Sequence, residues 1–207
     1  MNFAISTTKR NLMILSAAFL IAYSIYNAFY FMGLNTVMVK PNSMQLIIRG
    51  LLHTIPYVYL LIVLFDYFRH KGWKLLQYTL LIAVIMEVAI KAYNMIHLMG
   101  SFKSASFNFT MGVEMFRVLF IVLLTILLFQ HHRKEHPEVF SLQKYAVSLI
   151  LFQIIAFGIP VVFRSESVSS MLLIIRILSA IPYLFLIEFT LKVKPKKAMV
   201  YDSRVNS

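Results

Sequence analysis

The stretch LLQYTLLIAVIMEVAIKAYNMIHL, Leu75 to Leu98, decides how the chain is read. Its apolar residues fall on every side of a helix instead of in one stripe. It is also long enough to cross a hydrocarbon layer, which takes roughly 20 residues. Two charges, Glu87 and Lys91, stand well inside it. At 1.5 Å per residue, Glu87 lies about 20 Å along the helix from Trp73, beyond the middle of a bilayer. A lone carboxylate there must be protonated or paired, and Lys91, one turn on, is the nearest partner.

Comparable runs follow one another along the chain. They extend from about Leu12 to Phe31, Leu46 to Phe68, Gly112 to Gln130, Tyr145 to Phe163 and Met171 to Lys192. The chain has 207 residues, of which 60% are hydrophobic and 14% charged, with a mean hydropathy of +0.78. That leaves too little polar surface to cover a soluble globule. A membrane β-barrel would need alternating segments of roughly ten residues, which these runs are not. The expected fold is all-α: a six-helix transmembrane bundle over residues 1–192, followed by a short basic tail over 193–207.

Charge placement sets the orientation. Lys9 and Arg10; Arg69, Lys71 and Lys74; Arg133, Lys134 and Lys144; and Lys192, Lys194, Lys196, Lys197 and Arg204 all fall on one side, against Lys40, Lys103 and Arg164 on the other. By the positive-inside rule both termini are cytoplasmic, in a plasma membrane or a bacterial inner membrane. The net charge of +12 is then a topology signal with an added attraction to anionic lipid, and nucleic acid is not an expected partner. The run after Lys9 and Arg10 is too long for a signal peptide and lacks a cleavage site, so it counts as a span.

An internal echo runs through the spans. YNAFYFMG at Tyr26 to Gly33 returns as YNMIHLMG at Tyr93 to Gly100, and Tyr78 and Tyr145 stand at the same offset; Arg49 and Arg117 are one residue further apart. MQLIIR, ending at Arg49, reappears as MLLIIR, ending at Arg176. The pattern is that of three parallel two-helix repeats about an axis normal to the membrane.

These echoes place Arg49, Arg117 and Arg176 about one turn inside the outer ends of the even-numbered spans. Guanidinium groups at one depth must be separated, paired with acids, or bound to an anion. Glu114 and Arg117 form a second intrahelical pair beside Glu87 and Lys91. Tyr23, Tyr26, Asn27 and Tyr30 share one side of the first span, Arg49 and His53 one side of the second, and Arg176, Ser179 and Tyr183 one side of the sixth. Together with Tyr93 and Asn94, these stripes predict an outward-facing, Arg-lined pocket for a small anionic or amphiphilic solute. Pro56 and Pro182 are expected to bend their helices.

Other chemistry finds little support. The chain has no cysteine, so thiolate metal sites and disulfides are excluded. His132 and His136 in HHRKEHPE have chelating i, i+4 spacing, but Pro137 follows at once and Arg133 and Lys134 repel a cation. No metal or cofactor is expected, and no phosphate loop or nucleophile elbow appears. Asn108 in NFT matches a glycosylation pattern but stands too close to the bilayer to be used. The alternative to a solute-binding protein is a sensor or assembly subunit whose charges pair with a membrane partner or a second copy. A lipid-modifying enzyme comes third, because nothing selects a reaction.

Overall fold

The computed structural model describes residues 5–37, 43–98, 107–131, 137–162 and 168–193. Side chains are described within these except at 31–37, 43, 94–98, 107–111, 113–114, 157–162 and 168–172. Every regular element among them is helical: α1 Thr7–Val37, α2 Ser43–Lys71, α3 Lys74–Leu98, α4 Phe107–Phe129, α5 Val139–Val162, α6 Val168–Leu178 and α7 Ile181–Lys192. Five of the apolar stretches are long enough to cross a membrane, the last running from Leu173 to Lys192 through the α6–α7 break. Large apolar side chains such as Leu15, Ile55, Ile85, Met115, Ile154, Ile174 and Leu184 lie exposed on all seven helices. A water-soluble monomer rarely presents so continuous an apolar surface.

The helices pack in chain order and the ring closes. α1 lies on α2, α2 on α3, α3 on α4 and α4 on α5, while α6 and α7 lie between α5 and α1. Across the ring it is side chains that meet. At the end of the bundle that carries Lys9, Lys71 and Lys192 they form a solid core. Tyr67, Phe68, Phe189, Met13, Leu64, Leu76, Leu128 and Leu142 are fully buried there, with the Tyr67 and Phe189 rings edge to face at 5.0 Å. Buried threonines satisfy themselves within their own helices: Thr54, Thr79, Thr125 and Thr190 each donate to the carbonyl four residues back at 2.7 to 2.9 Å. In an apolar surround this back-bonding removes the cost of an unpaired hydroxyl.

The α2–α3 connection is tight because its sequence closes a helix in two ways at once. Gly72 takes a φ of 73°, where an L side chain is strained. Its amide donates to Arg69 O at 3.1 Å and that of Trp73 to Phe68 O at 3.0 Å, the paired closure of a Schellman motif. Trp73 also lies beside the Phe68 ring at 6.0 Å and stacks on His131 at 3.7 Å, tying this turn to the end of α4.

Ion pairs fasten the same end. Lys9 meets Asp66 at 3.2 Å, Lys71 meets Glu138 at 3.2 Å, and Lys144 and Lys192 meet Glu188 at 3.1 and 2.7 Å. Burial pushes the Glu138 carboxyl up, but hydrogen bonds from its own backbone, from Tyr67 and from Lys71, with the Lys71 charge, outweigh it and hold the group below its usual 4.5. A carboxyl depressed on folding stabilises the fold fully above the unfolded value and loses that contribution as pH falls through the folded one. Melting temperature is therefore expected to decline below about pH 4.5, and Glu138→Gln should flatten that part of a pH series. An unchanged acid slope in this variant would assign the loss to other groups.

One expectation changes at the last helices. Pro182 does not bend a continuous span: the helix stops at Ser179–Ala180 and restarts with proline in the first turn of α7. Proline is tolerated at that place because its missing N–H would be unsatisfied there in any case. Pro56, by contrast, lies within an uninterrupted α2. Counted from the starts of α2, α4 and α6, Arg49, Arg117 and Arg176 are roughly 9, 15 and 12 Å along their helices at 1.5 Å per residue. The helices run on past the apolar stretches that mark them in the sequence.

Candidate functional site

Away from the packed end, the ring encloses a cavity of about 420 Å³. Its polar wall comes from Tyr23, Ser24 and Asn27 of α1, Arg49, His53 and Tyr57 of α2, Lys91 of α3, Arg117 of α4, Gln153 of α5, and Ser179 and Tyr183 at the α6–α7 break. Leu46, Ile121, Leu149 and Phe152 supply apolar wall. A second, smaller space of about 60 Å³ continues toward the packed end, lined by Tyr57, Glu87, Arg117 and Tyr145 among apolar neighbours. Arg117 and Tyr57 belong to both walls.

Helical spacing explains who faces in. Tyr23 and Asn27 are one turn apart on α1, as His53 and Tyr57 are on α2, so each pair presents one face. Tyr26 lies about 100° around the helix from Asn27 and falls on the other edge of that stripe. It is 56% exposed and lines an outer furrow with Tyr30 and not the enclosed cavity. That corrects the expectation of a single inward stripe.

Arg49 is held from several directions. Its Nη2 donates to the Tyr26 hydroxyl at 3.2 Å, its guanidinium lies 3.1 Å from the Tyr30 ring centroid, and its backbone carbonyl accepts from the Tyr23 hydroxyl at 2.7 Å. Its Nη1, however, is buried with no hydrogen-bond partner among the described residues. The same is true of Asn27 Oδ1 and His53 Nδ1. The other ring nitrogen of His53 shares a hydrogen bond with the Tyr183 hydroxyl at 3.3 Å.

Glu87 is 6% exposed. Its carboxylate is 3.9 Å from Lys91 Nζ and 3.7 Å from Arg117 Nη2. Both distances compensate charge, but neither is a hydrogen bond. The sequence pairs Arg117 with Glu114, whose side chain lies outside the described residues; among the described residues Arg117 reaches Glu87 on the neighbouring helix. Among the described residues the cavity wall carries three cations, Arg49, Lys91 and Arg117, and Glu87 lies against the last two.

The remaining expected residues divide. Arg176 is half-buried and is not among the residues lining the cavity; its carbonyl accepts from the Ser179 hydroxyl at 2.5 Å. Tyr93 is half-buried and also lies off the cavity wall. The Asn94 side chain, and His132 and His136, fall outside the described residues. Ser24, Tyr57 and Gln153 are cavity residues that the sequence reading passes over. Gln153 is a lone amide within the apolar run of α5, and Tyr57 stands one turn from His53, so both carry a signal in retrospect. Compared with known proteins, the chain matches no family model, no curated protein and no solved structure, so the reading of this site rests on its own residues.

Proposed function

We propose that the chain is an integral membrane protein of six spans, α6 and α7 together forming the last, whose cavity binds and moves a small anionic or amphiphilic solute. One observation carries this reading. Three buried polar atoms, Arg49 Nη1, Asn27 Oδ1 and His53 Nδ1, have no partner among the described residues and line the same cavity as Lys91 and Arg117. Buried donors and acceptors left unpaired are costly, and a polar ligand arriving there recovers that cost. The cationic side chains of Arg49, Lys91 and Arg117 on one wall favour an anion, and the Tyr57, Phe152, Leu46 and Leu149 surfaces suit an apolar body attached to it.

In the membrane, the end bearing Lys9, Lys71 and Lys192 faces the cytoplasm with both termini, and the cavity faces outward. A ring closed in chain order accommodates three hairpins, α1–α2, α3–α4 and α5 with α6–α7, as the repeat pattern supposes. The rival, a subunit whose intramembrane charges pair with a partner, is disfavoured by Glu87, which is compensated within its own chain.

The test uses purified protein, thermal shift against benzoate, hexanoate and inorganic phosphate, and uptake into proteoliposomes. An organic carboxylate is expected to raise the melting temperature. Arg49→Gln, Lys91→Gln and Arg117→Gln should each weaken it about tenfold, the loss of one charge-assisted hydrogen bond, while Arg176→Gln should leave it unchanged. Equal affinity across all four variants would remove the cavity from consideration.

A further inference from the structure

The outer surface of the α1–α2 pair carries a second feature that the cavity alone does not explain. A depression of about 530 Å³ is lined by Tyr23, Tyr26, Tyr30, Gln45, Arg49 and Leu52, with Phe19, Ala22 and Ile48. Below it lies another of about 360 Å³, lined by Leu15, Ser16, Phe19, Leu52, Ile55 and Pro56. Phe19 and Leu52 border both, so the two form one furrow. Its upper part holds a guanidinium, three phenols and an amide, and its lower part is almost wholly apolar.

Between Leu15 and Tyr30 the furrow follows α1 for about 22 Å at 1.5 Å per residue. That exceeds half of a hydrocarbon core of roughly 30 Å. A polar head at Arg49 with one chain laid along Phe19, Leu52 and Ile55 therefore matches the furrow in length and in polarity.

Arg49 and Tyr23 line the furrow and the enclosed cavity alike. The Arg49 side chain is thus part of the partition between lipid and cavity. A snorkelling arginine would extend its head to water; this one is packed against the Tyr30 ring, with Nη1 buried. Charge complementarity fixes the occupant. Among the described residues, one cation stands at the head of the furrow and no acid lines either depression.

We propose that this furrow is a lateral entry site for a single-chain anionic amphiphile drawn from the bilayer, its head group engaging Arg49 before passing to Lys91 and Arg117 inside. The proposal rests on the cavity reading above and names both the substrate class and its route. The amphiphile arrives from the lipid, so the aqueous mouth of the cavity is not its door.

The test places the protein in phosphatidylcholine nanodiscs with lysophosphatidylglycerol or lysophosphatidylcholine, each carrying a diazirine in its acyl chain. After illumination, adducts are mapped by peptide mass spectrometry, and the benzoate thermal shift is recorded on the same preparation. Adducts are expected on Leu15, Phe19, Leu52 and Ile55, about tenfold more with the anionic lipid. Arg49→Gln should abolish that preference and Leu52→Trp should reduce the adducts by filling the furrow, whereas Leu119→Trp on the exposed face of α4 should change neither. Adducts spread evenly over the helices, or indifferent to head-group charge, would overturn the site. A benzoate shift without furrow adducts would leave the cavity and discard the entry. Furrow adducts without a benzoate shift would discard the cavity and, with it, the passage inward.

Discussion

Glutamine in place of Glu87 lowers the stability of the protein by about 3 kcal/mol, the low end for breaking a buried ion pair, because Lys91 and Arg117 keep some exposure. For a chain of this size that corresponds to a fall of roughly 6–12 °C in melting temperature. The carboxylate is buried, and its loss removes the charge that lies against both Lys91 and Arg117. Removing one of the cations as well, in Glu87→Gln with Lys91→Gln, should recover much of the loss, and a double-mutant cycle reads the coupling directly. Glu87→Gln should also bind benzoate more tightly than wild type, since the cations no longer share their charge with a resident acid. Lower stability with higher affinity separates charge compensation from a packing defect, which would reduce both. A variant melting within a degree of wild type would show that Glu87 does not hold these cations.

Tyr67→Ala is expected to cost more, about 4 kcal/mol, in the range for deleting a buried aromatic ring. Tyr67 is fully buried. Its ring packs against Phe68, Trp73 and Phe189, and its hydroxyl donates to Glu138 at 3.0 Å. Tyr67→Phe keeps the ring contacts and removes only the hydrogen bond to the carboxylate, worth about 1.5 kcal/mol. The two variants, compared by melting temperature and by monodispersity on gel filtration, divide the packing from the polar contribution. If both lost the same amount, the closed end would be held by its polar clasp and not by its rings. Because this end is distant from the cavity, Tyr67→Phe should bind benzoate as wild type does.

The helices were largely legible in the sequence because hydrophobic length is a local property. Their ends were less so, for an identifiable reason. Gln143 and Lys144 interrupt the apolar run of α5 and suggest a start at Tyr145, yet the helix begins at Val139. Both polar groups are satisfied by other helices: Gln143 donates to Leu128 O at 2.9 Å and Lys144 to Glu188 at 3.1 Å. A hydropathy window sees only the polarity of such residues. The same limit applies to contacts between helices. Spacing arguments compare residues on one helix, as for Arg117 and Glu114, whereas the approach of Arg117 to Glu87 depends on α3 lying beside α4. Tyr26 and Asn27 show the resolution of a stripe argument: adjacent residues of one polar cluster ended on opposite sides of the α1 wall.

The broken last span has a consequence for how the chain is made. α6 and α7 have 11 and 12 residues, each about half of what a hydrocarbon core requires. Neither could be threaded into a bilayer alone and remain. Yet the stretch from Leu173 to Lys192 has the same mean hydropathy, 1.8, as the first three spans, so insertion treats it as one ordinary segment. Past the interruption at Ser179–Ala180, α7 is seated between α1 and α5, and the amides of the break still bond to helix carbonyls at 3.0 and 3.1 Å. A helix running unbroken through Pro182 would forfeit a backbone hydrogen bond, so the break that costs this span its continuity also brings Ser179 and Tyr183 to the cavity wall.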